Sequence, residues 1–382
     1  MEQHDISWVE KDDLMGFLIN YQEEIQRNSG ILFAFDQNDT DLTIVPGGSV
    51  NVNYKAVDSR GQEIFLKRQL SSGGVYGSRL RREFLVLDYL SKLGMTAYPF
   101  IYKEENRLLA TSFIRGEKPS LEKNNTEEVL VSIGQFLNYL RKTPISLLKR
   151  LYTGRRSDAN SYWFKDVLPT SEKIVKQSSF SHCRHLVSFL NEIIEVLSSN
   201  LSESEDYRPN WEQLKEMPLC ERNITLIHND FAFRNLIYSN SKIAMKAVDW
   251  ETADAGDTAY DIGYMWSEND LKPEHVRIIC QESTKGCTED VKALMDRAYE
   301  FRPLIEVGNI CWTLNSLEQR NMRTVSPLLR NPYSIAESLN YTMYKIRSLS
   351  RGLNVNISKN RLYGEVKTAL KLIQTELFLL TG

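Results

Sequence analysis

The spacing of hydrophobic positions changes along the chain, and each change marks a different kind of element. Between 8 and 28, Val9, Leu14, Phe17, Leu18, Tyr21 and Ile25 recur near every third or fourth residue, which predicts an amphipathic helix. From 31 to 70 the pattern shortens to β-like runs: ILFAF, LTIVP, VNVNYKAV and EIFLKRQL. The turn signals DQNDTD, PGGS and DSRGQ separate them. Residues 79–93 (RLRREFLVLDYLSKL) return to helical period and close on Gly94. YPFIYKE and RLLATSFI predict two more strands, and RGEKP at 115–119 interrupts the pattern as a linker. Beyond 120 most segments are helical, EEVLVSIGQFLNYLRK and RHLVSFLNEIIEVLSSNL most clearly. The exception is 224–250, where NLIY and KIAMKAVDW flank a Ser-Asn-Ser turn and predict a hairpin set among helices.

This order predicts an α+β chain. A small antiparallel β lobe at 1–115, with a helical extension and one helix of its own, precedes a larger helical lobe at 116–382. Composition changes that picture little: 42% hydrophobic and 25% charged residues are ordinary for a globular protein. Charge excludes more. Against 50 acidic residues stand 47 basic ones, a net −3, and a nucleic-acid partner calls for a basic excess. Five cysteines without a CxxC pair predict neither a disulfide framework nor a cysteine-rich zinc site. Acids interrupt the opening MEQHDISWVEKDDLMGFL, which removes a signal-peptide core, and no apolar run approaches a membrane span. The expectation is a soluble, cytoplasmic protein with no membrane partner; the sequence does not indicate an oligomeric state.

The chemistry concentrates in LIHNDFAFRNLIYSNSKIAMKAVDWETADAGDTAYDIGYMW. His228-x-Asp230-x-x-x-x-Asn235 enters the predicted hairpin, and Asp249-Trp250-Glu251 leaves it. A tight hairpin brings its two ends together, so Asp230, Asn235 and Asp249 converge. Such hard oxygen ligands suit Mg²⁺, which keeps water and phosphate oxygens in its remaining positions. Phosphoryl transfer needs that metal, together with a carboxylate to orient or deprotonate the attacking hydroxyl. The protein-kinase pattern has a catalytic Asp, an Asn five positions later, then a metal-binding Asp, and the three residues fit it in that order.

Upstream, Lys67 lies in the run EIFLKRQL and Glu83 in the next helix. A strand Lys held by a helix Glu is the pair that grips ATP phosphates in kinases. Arg68 and Glu63 compete for the same roles, and Arg82 adjoins Glu83. Gly47, Gly48 and Ser49 sit in a turn ahead of Lys67, where small residues let backbone N–H groups approach phosphate oxygens. No Walker A sequence occurs.

At these residues the chain resembles the aminoglycoside phosphotransferase and choline kinase superfamily of small-molecule kinases, over roughly 44–116 and 220–266. The resemblance implies a protein-kinase-like two-lobe fold with ATP between the lobes. HNDFAFRN is similar to the family's catalytic loop, with Asp230 as base and Asn235 as metal ligand. VDWE is similar to its metal-binding segment, with Asp249 as ligand, and Glu251 follows as in the choline kinase branch. GDTAYDIGYMW resembles the stretch whose second Asp, here Asp261, buttresses the loop, and His228 has a matching structural role. SFIRGEKP resembles the interlobe linker, which assigns adenine to the Ser112 C=O and the Ile114 N–H. Phe231-Ala232-Phe233-Arg234 departs from the usual filling of the loop.

From Asp249 to Asp270 there are seven acids (249, 251, 254, 257, 261, 268, 270) and no Lys, Arg or His, with Trp250, Tyr260, Tyr264 and Trp266 interleaved. Two readings stand: fold-supporting acids with core aromatics, or an acidic, aromatic receptor for a cationic acceptor, in which Trp250, Glu251 and Asp254 would take part. The basic pairs Lys149-Arg150 and Arg155-Arg156 read as solvated surface. His182-Cys183-Arg184-His185 lacks the second ligand pair that a zinc site needs. The reading is therefore an ATP- and Mg²⁺-dependent kinase acting on a hydroxyl of a small molecule: an aminoglycoside, choline or ethanolamine, a sugar or an amino acid. The residues do not distinguish ATP from GTP. An inactive nucleotide-binding scaffold or sensor is the alternative, against which stands the presence of every key polar residue. A protein kinase lacks support because no APE motif follows Asp249.

Overall fold

The computed structural model describes residues 8–45, 51–69, 79–122, 125–176, 184–201, 209–218, 222, 224–239, 244–321, 341–342, 344–346 and 348–349. Its contacts divide the chain into two compact units, one of residues 1–136 and 230–253, the other of 137–229 and 254–382.

The first unit is built on a five-stranded antiparallel sheet. Its strands are β1 (Asp41–Val45), β2 (Asn51–Val57), β3 (Glu63–Gln69), β4 (Pro99–Lys103) and β5 (Leu108–Ser112), in the order β1-β2-β3-β5-β4. Alternation decides which face each side chain meets. Val52, Tyr54, Ala56, Ile64, Leu66, Leu108 and Ala110 form one apolar face. Helices α1 (Trp8–Asn20) and α2 (Gln22–Ser29) cover it with Leu14, Phe17, Leu18 and Ile25. That explains the apolar stripe at 8–28. Each such side chain, fully buried, contributes about 1.5–3 kcal/mol. Lys67 has the opposite parity to Ile64 and Leu66, and it shares its side of the sheet with helix α3 (Arg79–Leu90).

ILFAF, expected as a strand, is not one. Phe33 and Phe35 join the core, but side chains take up the backbone donors: Ala34 N–H donates to Asp58 Oδ2 at 2.7 Å and Phe35 N–H to Gln22 Oε1 at 2.7 Å. Strand-like composition here serves burial, while local side-chain acceptors replace a ladder.

The expected hairpin is present, Leu236–Tyr238 pairing antiparallel with Met245–Ala247. Glu117 of the linker bridges to Tyr238, which brings the backbones so close that a Cβ at Gly116 (φ 153°) would meet Ile237 Cγ2 at 2.5 Å and Tyr238 O at 2.6 Å. Helix α4 (Thr126–Leu140) begins in this unit, and its Phe136 stacks on Phe231 and on Trp250, with ring centroids at 5.8 and 6.3 Å.

The second unit is mainly helical. It also holds a two-stranded pairing of Thr225–Ile227 with Asp254–Gly256, whose three-residue strands are too short for periodicity to reveal. The helix Thr258–Glu268 is buried from Thr258 to Ser267, against the long helix Val291–Asn321. Gly263 permits that approach, since a Cβ there would lie 2.7 Å from Ala298 O. Among the described residues no helix is long and apolar enough to cross a membrane.

Candidate active site

In the first unit, Lys67 gathers Glu83, Asp249 and Glu251, of which Asp249 lies 182 positions away in sequence. Its Nζ lies 2.7 Å from Glu83 Oε2, 2.5 Å from Asp249 Oδ1 and 3.3 Å from Glu251 Oε2. The rivals by sequence are engaged elsewhere: Arg68 pairs with Asp13 at 3.2 Å, and Glu63 with Lys55 at 2.6 Å and Arg115 at 2.8 Å. Arg82 donates to the Ala253 carbonyl at 2.8 Å. Burial acts to lower the Lys67 pKa, but Asp249, Glu83 and Glu251 outweigh it and hold the ammonium well above its ordinary value. Burial raises Glu83 to about 7, against the pull of Lys67 and with the added push of Asp249 and Glu251.

The carboxylates of Glu83, Asp249 and Glu251 offer oxygens within 4.8 Å of one another, and the Lys67 ammonium contacts all three. Asp249 is the open one, with 37% of its side chain exposed against 6% for Glu83. Its backbone is left-handed, φ 69°. That conformation costs a non-glycine residue on the order of 1 kcal/mol, and such strain concentrates at functional sites.

The loop ahead of the hairpin is ordered by Asn235. Its Nδ2 donates to the Asp230 carbonyl at 2.9 Å and to Asp230 Oδ2 at 2.8 Å, so Oδ1 is the atom that could serve a metal. Val248 N–H donates to the Asn235 carbonyl at 2.9 Å, so the hairpin does join its two ends. The other Asp230 oxygen accepts from the Arg234 guanidinium. Phe231 fills the core against Phe136, which accounts for the unusual loop filling. Lys118 of the linker donates to the Arg234 carbonyl at 2.5 Å.

In the second unit Asp261, fully buried, accepts the His228 N–H at 2.7 Å and the Asn229 N–H at 2.9 Å. The two amides immediately before Asp230 are thereby held by one carboxylate. Ser112 closes β5, and Ile114 follows in the linker, both half-buried. Gly47, Gly48 and Ser49, like His182 and Cys183, lie outside the described residues.

The acidic block is corrected in detail. Trp250 and Asp254, read as candidates to face an acceptor, are both fully buried. Trp250 donates to the Ala247 carbonyl at 3.1 Å, and Asp254 accepts from Thr153 N–H at 3.0 Å with Arg156 at 3.8 Å. Asp257 caps its helix and pairs with Arg297 at 2.8 Å, and Glu268 pairs with Lys345 at 2.8 Å. Glu251, the third candidate, pairs with Arg79 at 3.1 Å and accepts from Asn51. The block carries no base of its own because its partners come from distant segments. Arg156, expected on a solvated surface, lies over the rings of Tyr162 and Tyr260 at 5.4 and 5.5 Å and pairs with Asp166 at 2.5 Å.

Sequence reasoning missed Arg79, Asn51 and Arg234. Arg79 carries one signal in hindsight: it stands four residues before Glu83, on the same helical face.

Comparison with known proteins joins this geometry to a lineage. Among solved structures, choline kinase from Cryptosporidium parvum Iowa II aligns with a TM-score of 0.61, at 15% identity over 96% of this chain and 99% of that one. Plasmodium vivax ethanolamine kinase gives 0.59, at 15% identity over 94% and 98%. A GDP complex of aminoglycoside 2′-phosphotransferase IIIa gives 0.53, at 15% identity over 88% and 99%. At this identity the likeness concerns the fold, which is α+β and protein-kinase-like. No curated protein matches the sequence. The model of the phosphotransferase enzyme family matches residues 41–282, a span that includes β3, α3, the Asp230 loop and the Asp249 segment, and the chain belongs to that family.

Proposed function

We propose that this phosphotransferase is an ATP- and Mg²⁺-dependent kinase that phosphorylates a hydroxyl of a small molecule. The observation that carries the reading is Lys67, held at once by Glu83 of α3 and by Asp249, with the Asp230–Asn235 loop hydrogen-bonded to the segment that bears Asp249. The nucleotide lobe is the region 1–115. Lys67 contacts the phosphates, the Ser112 C=O and Ile114 N–H receive the base, and the turn of Gly47, Gly48 and Ser49 covers the phosphates.

The donor set fits Mg²⁺. A partly open Asp249 carboxylate and the Asn235 Oδ1 are hard oxygens, and three carboxylates, Glu83, Asp249 and Glu251, meet at Lys67. The metal supplies neutralisation of the charge that develops on the transferring phosphoryl group. Asp230 accepts a hydrogen bond from the acceptor hydroxyl and takes its proton as the oxygen bonds to the γ-phosphorus and the bond to ADP breaks. The two donors on Asp230, from Asn235 and Arg234, fix the plane of its carboxylate. Asp261 holds the backbone before it through the amides of His228 and Asn229.

Choline and ethanolamine lead the acceptors to be tried, because kinases of those alcohols stand among the similar structures. Aminoglycosides, sugars and amino acids complete the panel. ADP release with each acceptor, with ATP or GTP as donor, tests the proposal. The expected outcome is turnover with at least one acceptor that falls by about 10²–10⁴ in Asp230→Ala. Nucleotide binding without turnover across the panel would assign a scaffold role instead.

A further inference from the structure

Arginine is out of place at the start of α3. The positive end of a helix dipole lies at its N-terminus, where each cation costs about 0.3–1 kcal/mol and acids are favoured. The opening turn of α3 carries Arg79, Arg81 and Arg82 and no acid. Two of the three reach the segment that carries Asp249: Arg79 pairs with Glu251 Oε1 at 3.1 Å, and Arg82 donates to the Ala253 carbonyl at 2.8 Å.

Arg79 and Glu83 share a face of α3 and meet the two ends of one charge chain. Glu83 holds Lys67 at 2.7 Å, while Arg79 holds Glu251, whose other oxygen lies 3.3 Å from the same Lys67. One carboxylate thus bridges two cations. Asn51 also donates to that second oxygen, and both Arg79 and Glu251 are largely buried, their side chains 12% and 10% exposed. Solvent therefore screens the pair weakly.

We infer that Arg79 is a positioning residue of the phosphate site, which draws the charge of Glu251 away from Lys67 so that the lysine is free to exchange a carboxylate for a nucleotide phosphate. With Arg79 in place, two cations pair with the three carboxylates among the described residues; without it, of those two only Lys67 remains. Glu251 would then compete fully for the ammonium, and the site would repel an anionic nucleotide. The inference rests on the proposed nucleotide site and adds a residue to it.

The test is calorimetric binding of ADP in EDTA, so that no metal takes part, with thermal midpoints measured beside it. The wild-type protein binding ADP establishes the site; no binding there would count against the proposed function and remove the basis of the inference together with it. R79M is expected to weaken ADP about tenfold while its midpoint stays near that of the wild type, and R79K is expected to restore most of the loss. Against a background of E251Q, the further change R79M is expected to alter ADP affinity less than twofold, since the charge it offsets is gone. Unchanged affinity in R79M overturns the inference. So does an R79K variant as weak as R79M, or a loss of the same size with and without E251Q. The E251Q cycle still decides if R79M alone is too unstable to measure.

Discussion

Two buried lysines, one in each compact unit, contrast the cluster proposed to bind phosphate with a structural one. Lys345 is wholly buried, as is nearly all of Glu268, 2.8 Å away. The Ser267 carbonyl and hydroxyl accept from the same ammonium at 2.7 and 2.8 Å, and Asn309 and Tyr341 complete Glu268. Among the described residues this ammonium pairs with one carboxylate, and neutral groups supply further partners. Lys67 is buried almost as deeply, but it meets three carboxylates, and one of them is more than a third exposed. The first arrangement is closed from solvent. On the proposed function, the second offers a partly open carboxylate to a divalent cation and an ammonium to a phosphate.

Substitutions can break that contrast, and the largest effect is expected beside it. Asp230→Ala should cut turnover by about 10²–10⁴, with ADP binding retained by calorimetry. Lys67→Met should lose about 10²–10³ in turnover with a smaller change in thermal midpoint than Lys345→Met, because one of its partners, Asp249, is partly open to solvent. Lys345→Met should do the reverse. It strands Glu268 and costs about 3–5 kcal/mol by denaturant unfolding, while the protein that remains folded keeps its turnover. Equal destabilisation by the two methionines would erase the distinction.

Asp249→Asn should abolish the gain in ADP affinity that Mg²⁺ confers, read as the difference between titrations with metal and with EDTA. The pH effect is smaller. Glu83 is raised from 4.5 to about 7, so between those values the folded protein holds a proton that the unfolded chain has released. Stability contributed by that proton is complete below 4.5 and is lost as pH rises towards 7. The thermal midpoint of the wild type minus that of Glu83→Gln should fall across this window. Arg68→Ala should do least, at most about 1 kcal/mol and within twofold in turnover, since its pair with Asp13 is exposed.

Much of this was legible in the sequence because it is local. β1, β2 and β3 alternate between clear turns, and the hairpin announces itself by two short apolar runs, so convergence of Asn235 with the Asp249 segment follows from chain geometry. What stayed hidden depends on distant partners. ILFAF has strand composition, yet Asp58 and Gln22 take its amides. The acidic block left a receptor for a cation open as one of two readings because Lys67, Arg79, Arg156, Arg297 and Lys345, which answer its charges, lie far away in sequence. No periodicity records such pairings. Arg156 misled for the same reason, because two tyrosine rings and Asp166 turn an apparently exposed basic pair inward.

The double grip of Asp261 has a consequence for how this protein can change. The carboxylate holds main-chain amides at His228 and Asn229, and Asn235 Nδ2 holds the Asp230 carbonyl, so much of the path of the reactive loop is set by backbone groups. Side chains at 232 and 233 can then be exchanged with little displacement of Asp230, whereas Arg234 is tied to the Asp230 carboxylate. Such a loop is a natural place for selection, or an engineer, to alter which alcohol is accepted while the phosphate chemistry is inherited intact.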